Sequence, residues 1–407
     1  MQEALYDVVI VGGGMVGGTL AVSLGKAGLR VAVIERQLPE PFDHSQSHDL
    51  RVSALSVASE LILRDLGVWN GVLARRACPY RRLKTWEQNE QLAATEFDAA
   101  DIDGHDHLGH IVENRVLQLA LLDQLRELSS VDLYISSDYE LDFAPGSSVI
   151  RLTNGKTLVG SLVVAADGGE SKVRQLVGIG THKWDYEQQA LVASVEVAGE
   201  QQDITWQQFR AAGPLAFLPL SGSSASLVWY DSPENVKALA ALDEQAFIAA
   251  VEQEFPEVLP KVTKVYGKGF FPLRRQHAQD YGKPGVVLVG DAAHMIHPLA
   301  GQGVNIGLLD AAELADVILT CHRQGVLLES EALVARYEKR RRRHNLMMMT
   351  VMDMFYRTFS NDLAPIKLIR NIGLGVAGRL GPAKRQVMRF ALGLDGWGVG
   401  GANKKQQ

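Results

Sequence analysis

The pattern of apolar and polar positions changes character along the chain. Residues 7–11 form a short apolar run, residues 15–27 place apolar side chains at helical spacing behind a Gly-rich turn, and residues 30–34 form a second apolar run. This order predicts a βαβ opening. Helical stretches are predicted again at 54–66 and 115–127. Residues 158–166 are almost continuously apolar, as expected for a strand buried on both faces. Between 190 and 230 the pattern shifts to several strands (191–195, 205–210, 216–220 and 224–230) divided by Gly, Ser and Pro. A buried strand at 285–289 and a long helix starting near Val304 follow. From Ala332 onward the chain reads as helical, basic and methionine-rich.

Three segments of this pattern carry chemistry. Gly12-Gly13-Gly14-Met15-Val16-Gly17 fits G-x-G-x-x-G between the first strand and helix, and Glu35 ends the next strand. Gly12 permits the tight turn, Gly14 lets backbone approach a pyrophosphate, and Gly17 lets the helix pack close to the strand. The helix N-terminus stabilises phosphate charge, and Glu35 can accept hydrogen bonds from adenosine ribose hydroxyls. These residues fit FAD and NAD equally. The second segment, Asp167-Gly168-Gly169 through Arg174, follows the buried strand and by itself reads as a turn. In the third, residues 286–289 run into Gly290-Asp291-Ala292-Ala293-His294, then His297-Pro298-Leu299-Ala300-Gly301-Gln302-Gly303-Val304-Asn305. Asp291 stands at the C-terminal end of a strand, where α/β sheets bind ligands, and can bond a polyol such as ribityl. The Gly301-Gln302-Gly303 loop exposes N–H groups and opens a helix at Val304-Asn305, whose positive end stabilises an anionic reduced flavin. A second nucleotide-contacting site so far along the chain calls for a long, two-ended ligand, and FAD is such a ligand.

Composition adds limits. A chain of 407 residues exceeds what one hydrophobic core usually covers, so two domains are expected. No apolar stretch reaches the roughly 18 residues a membrane span needs, and the start lacks the basic region of a signal peptide. Cys78 and Cys321 give no disulfide framework and no metal-ligand spacing, so a reducing, cytoplasmic setting is expected. The net charge is -6, yet residues 336–407 hold 15 Lys/Arg against 4 Asp/Glu. A basic tail on an acidic body suits an anionic surface. The run 339–343 reads as an exposed helix face, and no nucleic-acid module accompanies it. Met348, Met352, Phe355 and Phe359 share one helical face, either as core packing or as an adaptable apolar surface for lipid or a partner. His294 and His297 lack the further ligands of a metal site, so no metal is expected and both are placed near the flavin.

Together these segments resemble the class A flavoprotein aromatic hydroxylases, and more narrowly the bacterial ubiquinone-biosynthesis hydroxylases. The resemblance runs from Val8 to about Leu394. It includes Arg51-Val52-Ser53-Ala54-Leu55-Ser56, Gly67-Val68-Trp69, His110-Ile111-Val112-Glu113-Asn114 and the long form HPLAGQGVNIGLLD at 297–310. Residues 79–83, 205–209 and 227–233 are similar to members that hydroxylate C3 of the ring, while residues 182–186 through 192–193 lean toward members acting at C5. The fold implied is α/β. A Rossmann-like FAD-binding domain of the p-hydroxybenzoate hydroxylase type would hold 1–75, 108–182 and 273–340. A mostly β substrate domain would hold 76–107 and 183–272, and 341–407 would be a helical, basic C-terminal region.

The resemblance also implies roles. Glu35 would hold the adenosine ribose, Arg51 the pyrophosphate, Asp167 both FAD and a transient nicotinamide, and Asp291 the ribityl chain. Gly301, Gln302, Gly303, Val304 and Asn305 would meet the pyrimidine side of the flavin, and His297 and Pro298 its face. Asn114 stands where many relatives carry Arg or Gln. NADH or NADPH would reduce the flavin, and with O2 a C4a-hydroperoxide would pass one oxygen to an electron-rich ring in a site that excludes water. The implied substrate is a polyprenyl quinol. Peripheral contact with the inner face of the cytoplasmic membrane, membership in a ubiquinone-biosynthesis complex and a homo-oligomer are all compatible with it.

Overall fold

The computed structural model describes residues 4–88, 94–101, 104–296 and 302–359. β1 (Ala4–Val11), α1 (Met15–Lys26) and β2 (Val31–Glu35) come first. β3 (Val52–Ser56), α2 (Val57–Asp65), α3 (Trp69–Leu73), β4 (Cys78–Tyr80), β5 (Arg82–Glu87), β6 (Thr95–Asp98) and β7 (Gly109–Glu113) follow. α4 (Asn114–Glu127) leads into β8 (Val131–Ile135), β9 (Tyr139–Asp142), β10 (Ser148–Leu152), β11 (Thr157–Ala165) and α5 (Lys172–Leu176). The middle holds β12 (Thr181–Val197), β13 (Ile204–Phe209), β14 (Leu215–Pro219), β15 (Ser224–Asp231), α6 (Pro233–Ala241), α7 (Glu244–Glu254) and β16 (Val262–Ala278). The last elements are β17 (Gly282–Lys283), β18 (Val286–Leu288), β19 (His294–Met295), α8 (Gln302–Arg323) and α9 (Glu331–Phe359).

The first sheet has the order β17-β18-β11-β1-β2-β8, with β10 and β9 attached through β11. From β18 to β8 the neighbours are parallel. Its apolar runs are covered on both faces: Val8, Val9, Ile10, Val31, Val33, Val163, Val164 and Val287 are all fully buried. That is why these segments read as unbroken hydrophobic stretches rather than alternating ones.

The second sheet runs β19-β16-β12-β15-β14-β13-β5-β6. One face carries Trp86, Trp206, Phe217, Leu227 and Trp229 and packs beneath Val236 of α6 and Phe247 and Val251 of α7. The small third sheet, β3-β7-β4, joins the second through a cluster that brings Ala54, Tyr80 and Ile111 together with Leu83, Leu218 and Leu220.

Several expectations shift. The helix expected at 54–66 starts at Val57, because residues 52–56 pair with β7 as a strand and Ser56 then caps α2 by accepting from the Ser59 N–H. The strands expected between 190 and 230 form, and two helices that were not expected follow them. Ser232, followed by Pro233, caps α6, and Asp243 caps α7, both standard start signals. The basic run is not simply an exposed face, since Arg341 is 1% exposed. Met348 packs with Met349, Ile296 and Ile306, which makes it core. The side chains of Met352, Phe355 and Phe359 lie outside the described residues, as does everything from residue 360.

Candidate functional site

Because β18, β11, β1 and β2 are parallel neighbours in that order, their C-terminal ends line up. Asp291, Asp167, Gly12 and Glu35 therefore stand in one row, roughly 14 Å across at the usual strand spacing. Ligands bind outside the carboxyl ends of such sheets.

The glycines are dictated by close approach. Gly12 has φ 102°, and a Cβ there would lie 2.3 Å from the Ala166 carbonyl oxygen at the end of β11. A Cβ at Gly17 would lie 1.9 Å from the Gly12 oxygen, so α1 packs onto the turn only without a side chain. Gly14 caps α1 and opens on space, its nearest neighbour being Gln118 at 3.9 Å. α1 has no side-chain cap and no acid in its first turn, so nothing in its own sequence competes with an anion at its positive end. Gly303, in the first turn of α8, likewise faces open space.

The acids behave differently from one another. Glu35 receives the Gly13 N–H at 2.6 Å and the Arg36 N–H at 2.7 Å, which fixes it beside the glycine turn. Asp167 accepts from the Val173 N–H at 3.1 Å through Oδ2, while its buried Oδ1 has no partner. A buried carboxylate oxygen left unpaired is what a hydroxyl-bearing ligand would satisfy. Asp291 opens onto the cleft yet is crowded by protein, and this burial raises its carboxyl above the usual range against the opposing pull of His294 and Arg51.

Two cavities flank the row. One of about 290 Å³ is lined by Gly13, Glu35, Gln37, Leu38, Gln118 and Leu122. The other, about 670 Å³, is lined by His48, Arg51, Asn114, Gln118, Ser194 and Tyr266. Gln118 borders both, so they adjoin. Burial and the nearby Arg76 push the His48 imidazole down to about 4, leaving it neutral at physiological pH.

Residues 5–351 match the family described as FAD binding domain. The chain is 45% identical over 97% of its length to 3-demethoxyubiquinol 3-hydroxylase of Escherichia coli, of which it covers 100%. The chain belongs to the FAD-binding family of ubiquinone-biosynthesis hydroxylases. Ubiquinone hydroxylase UbiL of Rhodospirillum rubrum is 37% identical over 96% of the chain and 90% of that protein. In fold the chain is similar to p-nitrophenol 4-monooxygenase PnpA of Pseudomonas putida, with TM-score 0.78 at 20% identity, covering 97% of this chain and 99% of that one. This is the α/β architecture of the p-hydroxybenzoate hydroxylase type. A member of this family is an FAD-dependent monooxygenase, with NAD(P)H and O2 as the co-substrates typical of the class.

Other expected residues are used in ways the sequence did not show. His294 is 3% exposed and bonds Asp310 Oδ2 at 2.5 Å, so its ring is held within the protein interior. Asp310, fully buried, also accepts from Arg341 Nε (2.7 Å), Asn345 Nδ2 (3.0 Å) and the Gly290 N–H (3.2 Å). It thereby ties the Asp291 turn to α8 and α9. The Asn305 amide accepts from the Ser56 N–H (2.9 Å) and Ser59 Oγ (2.7 Å) and donates to the Ala54 carbonyl (2.8 Å). Its side chain holds the β3–α2 junction. Asn114 receives Ser53 Oγ at 2.7 Å. His297, Pro298 and Gly301 lie outside the described residues, as does the side chain of Gln302.

Arg174 was also missed. Its buried guanidinium donates to the Ala292 and Gly169 carbonyls, both at 2.8 Å, and so clamps the second motif to the third. Elsewhere, Glu60 meets His107 at 2.8 Å and His110 at 3.1 Å, with Arg64 on its other oxygen. Despite the opposing effect of burial, His107, His110 and Arg64 hold the Glu60 carboxyl well below its ordinary range, and Glu60 raises His107.

Proposed function

We propose that this chain hydroxylates the ring of a polyprenylated benzoquinol in ubiquinone biosynthesis, and that its reaction is 3-demethoxyubiquinol 3-hydroxylation. The observation that carries this reading is 45% identity across 97% of the chain with the Escherichia coli enzyme of that name. The segments similar to C5-acting members lie at 182–186 and 192–193, and a C5 hydroxylase is the second reading.

Bound FAD supplies the transfer of electrons from NAD(P)H and the activation of O2. The protein's residues bind and orient. Glu35 holds the adenosine ribose in the smaller cavity, while the α1 N-terminus and Arg51 hold the pyrophosphate. Asp291 holds the ribityl chain, and Asp167, with its unpaired oxygen, serves FAD and a transient nicotinamide. The first turn of α8, from Gln302 through Gly303 and Val304 to Asn305, offers its positive end to the pyrimidine side, which stabilises negative charge there; the same role is implied for Gly301, which lies outside the described residues. For His297 and Pro298, outside the described residues, the flavin-face role is the one the family resemblance implies.

The proposed division is a cofactor domain of 1–75, 108–182 and 273–340, a substrate domain of 76–107 and 183–272, and a basic C-terminal region of 341–407. Among the described residues no helix is long and apolar enough to cross a membrane. A polyprenyl substrate and the basic C-terminal region support peripheral docking on the inner face of the cytoplasmic membrane. That location also fits a biosynthetic complex or a homo-oligomer. Deleting residues 364–407 should then weaken binding to anionic liposomes, and unchanged binding counts against the docking.

The functional reading is tested with purified holoprotein. A demethoxyquinol should stimulate NAD(P)H oxidation together with oxygen uptake and yield the hydroxylated ring. NAD(P)H oxidation indifferent to the quinol would contradict it.

A further inference from the structure

Strand register defines a second face of the second sheet, opposite α6 and α7. Thr85, Gln207, Ala216, Val228 and Val192 are successive partners across β5, β13, β14, β15 and β12 and share one row. Leu218, Ser226, Ser194 and Gly267 form the next row on the same face. Ser194 and Gly267 also line the 670 Å³ cavity beside Arg51, so this face looks toward the cofactor cleft. Val192, Ala216 and Leu218 keep partial exposure, whereas Leu191, Leu215 and Phe217 on the helix-covered face are at most 1% exposed.

The polar groups on this face divide sharply. Thr205 Oγ1 donates to the Phe217 carbonyl at 2.8 Å, and Ser194 Oγ to the His48 carbonyl at 3.2 Å. Ser226 Oγ and Gln207 Nε2 have no partner, although their residues are only 1% and 9% exposed. A buried donor left unpaired destabilises a fold and calls for a reason, such as a ligand that satisfies it.

We propose that Gln207 and Ser226 hold the ring oxygens of the quinol. The proposal rests on the functional reading above and names its substrate contacts. The glutamine amide donates to an oxygen, and the serine hydroxyl donates or accepts. They stand two strands and one row apart, roughly 12 Å at the backbone. A six-membered ring with oxygens on opposite edges fills that span once both side chains reach inward. Val192, Val228 and Leu218 supply the apolar surface for the ring and the first part of the tail. An oxygenated ring is thereby selected over a hydrocarbon one, because a ring without those oxygens leaves both groups unpaired.

The test uses full-length holoenzyme and a demethoxyquinol carrying one prenyl unit. Gln207→Leu, the milder Gln207→Met, and Ser226→Ala should each raise KM for the quinol about five- to tenfold, the loss of one neutral hydrogen bond. The yield of hydroxylated product per NAD(P)H should fall alongside. FAD content should hold, and the melting temperature should stay level or rise, because no bond within the protein is lost. Unchanged KM and yield overturn the proposal. So does a drop in melting temperature or FAD content, which would make these groups structural. A wild type indifferent to the quinol sinks the functional reading and this proposal together, whereas an active wild type with indifferent variants sinks this proposal alone.

Discussion

At the scale of single residues, Asp310 governs more of the site than any residue in the glycine loops. It is fully buried and joins His294, Arg341, Asn345 and the Gly290 N–H. His294 and Arg341 keep its carboxylate well below the ordinary range despite burial. Asp310→Ala leaves Arg341, itself 1% exposed, as an uncompensated buried charge, a change that costs about 3–5 kcal/mol. We expect a large fall in melting temperature and weaker FAD retention, since the turn carrying Asp291 loses its anchor. A melting curve matching wild type contradicts this. Little of it was visible beforehand. Asp310 closes the recognised 297–310 segment, but its partner Arg341 lies in a run of charges that looks solvated until α9 is seen to pack on α8.

At the scale of elements, the β1–α1 turn makes two separable predictions. Gly17→Ala drives a Cβ to 1.9 Å from the Gly12 oxygen, an overpacking that costs 1–3 kcal/mol or more, so the protein should melt early with or without FAD. At Gly14 a Cβ meets nothing nearer than 3.9 Å. Gly14→Ala should cost the apoprotein only the N-cap preference of glycine over alanine, about 1 kcal/mol, while FAD titration shows weaker binding. Unchanged FAD affinity in Gly14→Ala would falsify its assignment to the pyrophosphate. This turn was legible because each glycine answers a local demand of strand and helix. α6 and α7 were not, although Ser232 and Asp243 advertise their starts, because the surrounding strands set the expectation. The face shared by Gln207 and Ser226 was illegible for a deeper reason: which side chains line up across strands depends on pairing register, and no single segment records it.

For the whole molecule, several buried imidazoles set the response to acid. Burial pushes His48, His277 and His344 down to about 4. Unfolded chains take up protons on these groups near pH 6.5, well before the folded state does. Stability should therefore be full above about pH 6.5 and decline as pH falls toward 4. His107 acts in the opposite sense. Its raised pKa gives a contribution present below about 6.5 and lost as pH rises through the folded value. Melting temperature followed across pH 4–8 should thus drop steeply on the acid side, and His344→Gln should flatten that limb. The motifs at 12–17, 167–174 and 290–294, distant in sequence, were legible as neighbours because each follows a strand, and parallel order does the rest. The most direct measurement of the account is the mass of the quinone that accumulates when the gene for this chain is deleted from its host. A C3 hydroxylase leaves a prenylated ring lacking only the oxygen at C3, with ubiquinone restored by the intact chain. A ring arrested earlier, without its C5 oxygen, or undiminished ubiquinone, would contradict C3 hydroxylation.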